Sequence, residues 1–320
     1  MEVKNIIFAG DSFTWGEGLE LEDKLARKFI KDTCDTEFGY YQPKYYDIQH
    51  QGYFESIRTK SRFSSQVASH FNVMDIVPKS NGGDNLGAIN FINGILSEWG
   101  VDNFSHAILN LTEEMRSLVP NNVRENIFIK ELKWDMVHYY ESEWVEALWY
   151  CYLSMKDSVD SIHDSKVFEN LKSNWINKND PRGFVLPSNE VIDLILDRFE
   201  NPNKFREYIL SVFWNDVMWR IKGIEEKKIK VFILNSWKQA TAKFLKSNND
   251  EKLKKFFNDR FIKLVDGNNI LGSLSDLMND KRYNLTLKYP WSKNQHITKE
   301  AHDLIAKSII KKLEDERKLI

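Results

Sequence analysis

The sequence predicts an α/β protein with a parallel sheet, and three observations carry that prediction. Short, nearly continuous apolar runs occur at residues 3–9 (VKNIIFA), 104–111 (FSHAILNL) and 229–234 (IKVFIL). Such runs are the texture of strands covered on both faces. Between the first two lie segments with helical period. The first run also opens into a turn cluster at its carboxyl end, where α/β sheets place their sites.

Taken in order, residues 3–9 form a β-branched and aromatic run that stops at Gly10-Asp11-Ser12, a turn-and-cap cluster followed by Phe13-Thr14-Trp15-Gly16. Residues 63–71 place apolar side chains at 63, 67, 68 and 71, one face of a helix. After the Gly82-Gly83-Asp84-Asn85 turn the same pattern returns over 86–99. The second strand follows at 104–111. From 121 to 228 aromatic residues concentrate and strand-like runs nearly vanish. There Trp134, Val137, Tyr140 or Glu141, Trp144, Leu148 and Tyr152 recur at helical steps, as do Phe205, Ile209, Phe213, Val217 and Ile221. This predicts an all-helical insertion over 121–228, divided by the proline-containing loop 177–187, within a core made of 1–120 and 229–320. The aromatic stripes read as helix–helix packing, with some rings as candidates for lining a sugar or acyl site. A last helix begins near Thr298 and carries Ala301, Leu304, Ile305 and Ile309 on one face.

Composition narrows the function. The 320 residues hold 45 Lys plus Arg against 47 Asp plus Glu, a formal charge of -2, which argues against electrostatic binding of nucleic acid or anionic membrane. With 42% hydrophobic and 13% aromatic residues, a large buried core is expected. Cys34 and Cys151 stand alone, without a CxxC or a histidine-rich partner motif, so neither a disulfide framework nor a structural zinc is indicated. No apolar run approaches the roughly 20 residues of a membrane helix, and no secretory leader is visible. The location expected is cytoplasmic or virion-associated.

No cofactor is expected. There is no GxxxxGK[ST] loop for nucleoside phosphates, and Gly16-Glu17-Gly18 lacks the third glycine of a dinucleotide loop. The seven histidines are scattered, with no HExxH.

Ser12 is the sharpest candidate. A serine at a strand's carboxyl end exposes both hydroxyl and backbone N–H to a carbonyl substrate, and its N–H can serve as one oxyanion donor. The same Asp-Ser pair can also be an ordinary helix cap. Its candidate partner is His296, in the loop before the last helix, where a general base would sit.

Together these blocks resemble the SGNH, or GDSL-type, hydrolase family, and GDSFTWG is especially similar to its phage and bacterial members. The resemblance covers about 1–118 and 229–320. It implies a flavodoxin-like three-layer α/β fold with Ser12 as nucleophile and His296 as base. The second block of the family matches Ser80-Asn81-Gly82-Gly83-Asp84-Asn85, with the N–H of Gly83 or Gly82 completing the oxyanion hole. The final block matches His296 followed by Glu300-Ala301-His302, with alanine in the family's glycine position.

Two departures stand out. The acid that precedes the family histidine is replaced by Lys293 or Asn294, so Asn294 or a backbone carbonyl is left to orient His296. Asp266 and Asp280 are distant acids that no spacing selects. In the third block, Asn110-Leu111-Thr112-Glu113 puts Glu113 in register with the family's oxyanion asparagine, and an ionised carboxylate cannot donate. Asn110 or Thr112 is the substitute. Asp11, Asn85, Glu113 and Arg116 are the expected substrate-binding residues.

Two functions are therefore expected. One is a serine esterase acting on a small-molecule or carbohydrate ester, including O-acetyl groups, with neither nucleic acid nor membrane as partner. The other is a catalytically inactive domain of the same fold serving as a binding or virion-structural module. In either case the helical insertion is the candidate surface for a protein partner.

Overall fold

The three apolar runs of the sequence supply three of the four strands in one sheet. In the computed structural model the described residues are 3–11, 14, 16, 18–33, 48–78, 85–111, 119–120, 134–135, 197–199, 201–235, 250–266, 269–270 and 297–318. Strand β1 (Asn5–Ala9) is flanked by β2 (Asp75–Ile76) and β3 (Phe104–Leu111), and β4 (Lys230–Asn235) lies beyond β3. All three pairings are parallel, with Ile7 opposite Ile76, Ala9 opposite Leu109, and Leu109 opposite Ile233. The spatial order is thus 2-1-3-4, and the direction of winding reverses between β1 and β3.

The helices are α1 (Lys24–Thr33), α2 (Ile48–Ser61), α3 (Phe63–Phe71), α4 (Asn85–Trp99), α5 (Pro202–Glu225), α6 (Glu251–Arg260) and α7 (Lys299–Lys318). Residues of one parity on the strands, Ile6, Phe8, Ile108, Phe232 and Leu234, share an apolar cluster with Phe63 and Val67 of α3 and with Ala301, Ile305 and Ile309 of α7. Residues of the opposite parity, Ile7, Ala9, Ala107 and Leu109, are equally buried, so both faces of the sheet are covered. Helix α4 packs on β1 and β3. Each such large side chain contributes roughly 1.5–3 kcal/mol on burial.

The expected strands at 3–9, 104–111 and 229–234 and the helices at 63–71 and 86–99 are present within a residue or two. Strand β2 escaped the hydropathy pattern because two residues cannot show a period. The chain separates into two compact units: Met1–Thr112 with Trp219–Gln239 and Lys254–Ile320, and Glu113–Met218 with Ala240–Leu253.

In the second unit the sequence pattern and the structure differ at one point. Trp134, expected to open a helix, instead pairs with Asp135 as a two-residue strand against Val119–Pro120, antiparallel. Helical spacing does not outweigh backbone pairing once a partner segment is adjacent, even where Asp135 and Pro120 are poor strand formers. Helix α5 forms where the second stripe predicts it, and Trp214, Val217 and Ile221 on it are buried. The rest of the expected helical insertion, residues 121–133, 136–196 and 200, lies outside the described ones.

Among the described residues, no helix is long and apolar enough to cross a membrane.

Candidate active site

Strand β1 delivers the chain to Gly10 and Asp11 beside the end of β3, at the point where the winding of the sheet reverses. In open α/β sheets such a reversal leaves a crevice at the carboxyl ends of the two strands. Asn110, one residue beyond the Ala9–Leu109 pairing, closes this junction from the β3 side. Its side-chain amide donates to Asp11 Oδ1 at 3.1 Å and to Thr14 Oγ1 at 3.1 Å. The turn is also closed by its own backbone, with the Thr14 N–H donating to the Asp11 carbonyl at 3.0 Å. Asp11, Thr14 and Asn110 are all buried. A buried carboxylate and hydroxyl need such donors, because leaving either without one costs about 1–3 kcal/mol.

This packing explains the first glycine of the motif. A Cβ at Gly10 would collide with Thr14 Oγ1 and lie 2.7 Å from Asn110 Cβ and 2.9 Å from the Asn110 carbonyl oxygen. Gly16 is required for a different reason. It has φ of 85°, the left-handed region, and a Cβ there would meet Leu19 Cδ1 at 3.0 Å and Arg62 Cβ at 3.1 Å.

Beyond Gly16 the chain rests on a charge network in which Glu20, Arg58 and Arg62 are buried and Glu55 is half-exposed. Glu20, in the short 3₁₀ segment Leu19–Glu22, accepts from Arg58 Nη1 at 2.6 Å. Glu55 accepts from Arg58 Nε at 3.1 Å and from Arg62 Nη1 at 2.8 Å. Arg62 also donates to Asp75 Oδ2 at 2.7 Å, and Ser65 Oγ donates to the same oxygen. The network joins the loop after the motif to α2, α3 and β2. Sequence reading missed it, although Glu55 and Arg58, three apart on one helical face, carried part of the signal; Arg62 lies past the end of α2, as the extended cap of α3.

The last helix begins under equally specific restraints. Ile297 is fully buried in the cluster that holds Phe8 and Phe63. Thr298 caps α7: its hydroxyl accepts the Ala301 N–H at 3.4 Å and its carbonyl accepts the His302 N–H at 3.1 Å. Glu22 Oε1 accepts the Lys299 N–H at 2.7 Å. One turn on, buried His302 accepts the Phe63 N–H at Nδ1, 3.2 Å away, and its ring stacks on that of Phe63 with centroids 5.6 Å apart. A neutral ring accepting at Nδ1 carries its proton on Nε2. The block following His296 therefore contains a second histidine committed to holding α7 against α3.

Of the expected site residues, Asp11, Asn85 and Asn110 are described, and all three are buried. Asp11 and Asn110 are in direct contact, while Asn85 begins α4. The two amide hydrogens of Asn110 are directed at Asp11 and Thr14, so an oxyanion-donor role would require breaking one of those bonds. Asp11, expected to bind substrate, is buried and accepts from Asn110. Ser12, Gly83, Thr112, Glu113, Arg116, Asn294 and His296 lie outside the described residues.

Among the described residues, no group of three His, Cys, Asp or Glu side chains is arranged to hold a metal ion. The arrangement holds one turn at the strand ends through the Asn110 amide, the Asp11 carboxylate and the Thr14 hydroxyl, and one helix start through the Glu22 carboxylate.

No protein-family model, no curated protein and no solved structure matches this chain.

Proposed function

We propose that the protein is a serine esterase of the SGNH type, with Ser12 as nucleophile and His296 as general base. The observation that carries this reading is the Asn110 clamp on Asp11 and Thr14. It ties Asp11 and Thr14, which stand on either side of Ser12 in the sequence, to the end of β3, where the reversal of winding favours a crevice. The parallel order 2-1-3-4 supports a flavodoxin-like three-layer core, which has its switch point in that place. Ile297 adds support from the other end of the chain, since it packs in the cluster that contains Phe8.

In this reading Ser12 Oγ attacks the ester carbonyl while His296 takes its proton. The backbone N–H groups of Ser12 and Gly83 hold the oxyanion, with Thr112 as the remaining side-chain donor. Collapse of the tetrahedral intermediate expels the alcohol, which takes the proton back from His296 and leaves an acyl-serine. Water deprotonated by His296 then attacks the acyl group, releasing the acid and restoring Ser12. Small acyl esters, including O-acetyl groups on carbohydrate, are the substrates the resemblance implies, and the segment 121–228 would select among them.

The test is fluorophosphonate labelling of the wild type and of Ser12→Ala. Labelling of the wild type at Ser12 and its loss in the variant are expected. Labelling that persists in Ser12→Ala rejects the nucleophile assignment.

The commitment of both Asn110 amide hydrogens favours a second reading, a domain of this fold that binds without catalysis. Turnover of p-nitrophenyl acetate that depends on both Ser12 and His296 excludes it.

A further inference from the structure

We infer that Glu22 is the positioning carboxylate of the His296 segment, tying it to the segment that follows Ser12. This inference rests on the serine-esterase reading and concerns how that site is held together. In a serine–histidine system an acid beside the histidine normally fixes the base relative to the nucleophile. Here the positions where such an acid is expected hold Lys293 and Asn294.

Glu22 approaches this block from the other end of the chain. Its Oε1 accepts the Lys299 N–H at 2.7 Å across 277 residues of sequence. Lys299 is the first residue of α7 and stands three positions after His296. A carboxylate at the start of a 20-residue helix is favoured both by the charge-assisted bond and by the helix dipole.

Glu22 is itself held in place. Arg27 Nε donates to the Leu21 carbonyl at 2.9 Å and Arg27 Nη2 to the Glu22 carbonyl at 3.2 Å. Leu19 and Leu21 are buried, and Glu20 between them is paired with Arg58. Alternate residues of Leu-Glu-Leu-Glu therefore perform separate tasks. The leucines seat the segment, Glu20 fixes it to α2, and Glu22 reaches α7. Thr298 supplies the local half of the helix cap and Glu22 the long-range half.

Glu22 acts through the backbone of Lys299, not by contact with substrate. Its loss should consequently affect turnover far more than substrate binding. The experiment measures the rate of fluorophosphonate labelling at Ser12, and kcat and KM for p-nitrophenyl acetate, in wild type, Glu22→Ala, Glu22→Asp, Glu22→Gln and Ser12→Ala. Glu314→Ala serves as a control, because Glu314 is a half-exposed carboxylate of α7 paired with His70.

Glu22→Ala and Glu22→Asp should lower the labelling rate and kcat by about ten- to a hundredfold, with KM within about twofold, because misplacing a reacting group by an ångström costs about that much. Glu22→Gln keeps an acceptor of the same reach and should stay within about threefold of wild type, as should Glu314→Ala. A residue that merely stabilises the fold would not produce this rescue at a temperature where every variant is folded. If Glu22→Ala does not fold, the contrast between Glu22→Asp and Glu22→Gln decides.

Wild-type rates in Glu22→Asp, alongside loss of labelling in Ser12→Ala, overturn the inference and leave the esterase reading standing. Equal losses in Glu22→Asp and Glu22→Gln also overturn it. Absence of labelling at Ser12 in the wild type overturns both.

Discussion

Asn110 and Asp11 hold each other across the junction of β3 and β1, with the amide nitrogen 3.1 Å from the carboxylate oxygen and both side chains buried. The same amide reaches Thr14 Oγ1 at 3.1 Å, so one residue closes a turn that begins 99 positions earlier in the chain. Asn110→Ala removes both donors and leaves Asp11 and Thr14 with less than their native complement. A stability loss of about 1–3 kcal/mol is expected, measured as a shift in the urea midpoint with unchanged slope. Asn110→Asp should be worse, because it sets a second carboxylate against Asp11 in a buried site. If Asn110→Ala matches wild type in stability and in Ser12 labelling, the clamp has no role.

Gly10→Ala tests how tightly the motif is packed. The new methyl would press on Asn110 Cβ and on the Asn110 carbonyl, which belongs to a central strand and cannot retreat. Overpacking of this kind costs about 1–3 kcal/mol. Gly94 offers a comparison within the same unit, since a Cβ there meets nothing within 4 Å and the residue lies inside α4. Gly94→Ala should stabilise by about 0.5–1 kcal/mol through helix propensity, and thermal melts of the two variants should move in opposite directions.

Glu20 and Arg58 form an ion pair with side-chain exposures of 0% and 4%, so neither can turn to water when its partner is removed. Glu20→Ala should cost about 3–5 kcal/mol, since it leaves a guanidinium short of a buried carboxylate. Replacing the pair together by Leu and Met should recover most of that loss. A double-mutant cycle by chemical denaturation measures the coupling. A coupling near zero would show that Glu55 alone satisfies Arg58.

His106 gives the fold a pH dependence of known sign. It is buried on β3, with its ring stacked on Phe232 at 5.9 Å and its Nδ1 at 2.7 Å from Ser105 Oγ. Burial first, then the positive charges of Lys230 and the N-terminus, lowers its pKa from 6.5 to about 4. The folded state therefore resists protonation that the unfolded chain accepts. Stability attributable to His106 is intact above about pH 6.5 and falls as the pH drops toward 4. At about 1.4 kcal/mol per unit, the loss is on the order of 3 kcal/mol. His106→Gln should flatten the stability curve between these limits, and an unchanged slope in that variant would assign the acid sensitivity to other groups.

The strands and most helices were legible because their apolar residues repeat at a strand or helix period over five or more positions. Phe63, Val67 and Phe71 announce α3 in this way, and the run from Phe104 to Leu111 announces β3. The two-residue strands carry no such signal. Asp75–Ile76 becomes a strand because β1 is there to pair with it, and Trp134–Asp135 because Val119–Pro120 is. The motif around Ser12 was likewise legible as a turn at a strand end, but its supports were not.

What the sequence by itself determined is the local content of this protein: the longer strands and the periodic helices, where the glycines interrupt them, and which residues at their ends are candidates for nucleophile and base. What only the tertiary structure decided is the assignment of its polar groups. Asn110 is spent on Asp11 and Thr14, Glu20 on Arg58, Glu22 on the Lys299 N–H and His302 on the Phe63 N–H. Hydrophobic periodicity is a property of neighbouring residues and can be read along the chain. A polar side chain is satisfied by whichever donor or acceptor the fold brings within about 3 Å, and those partners lie tens to hundreds of positions away.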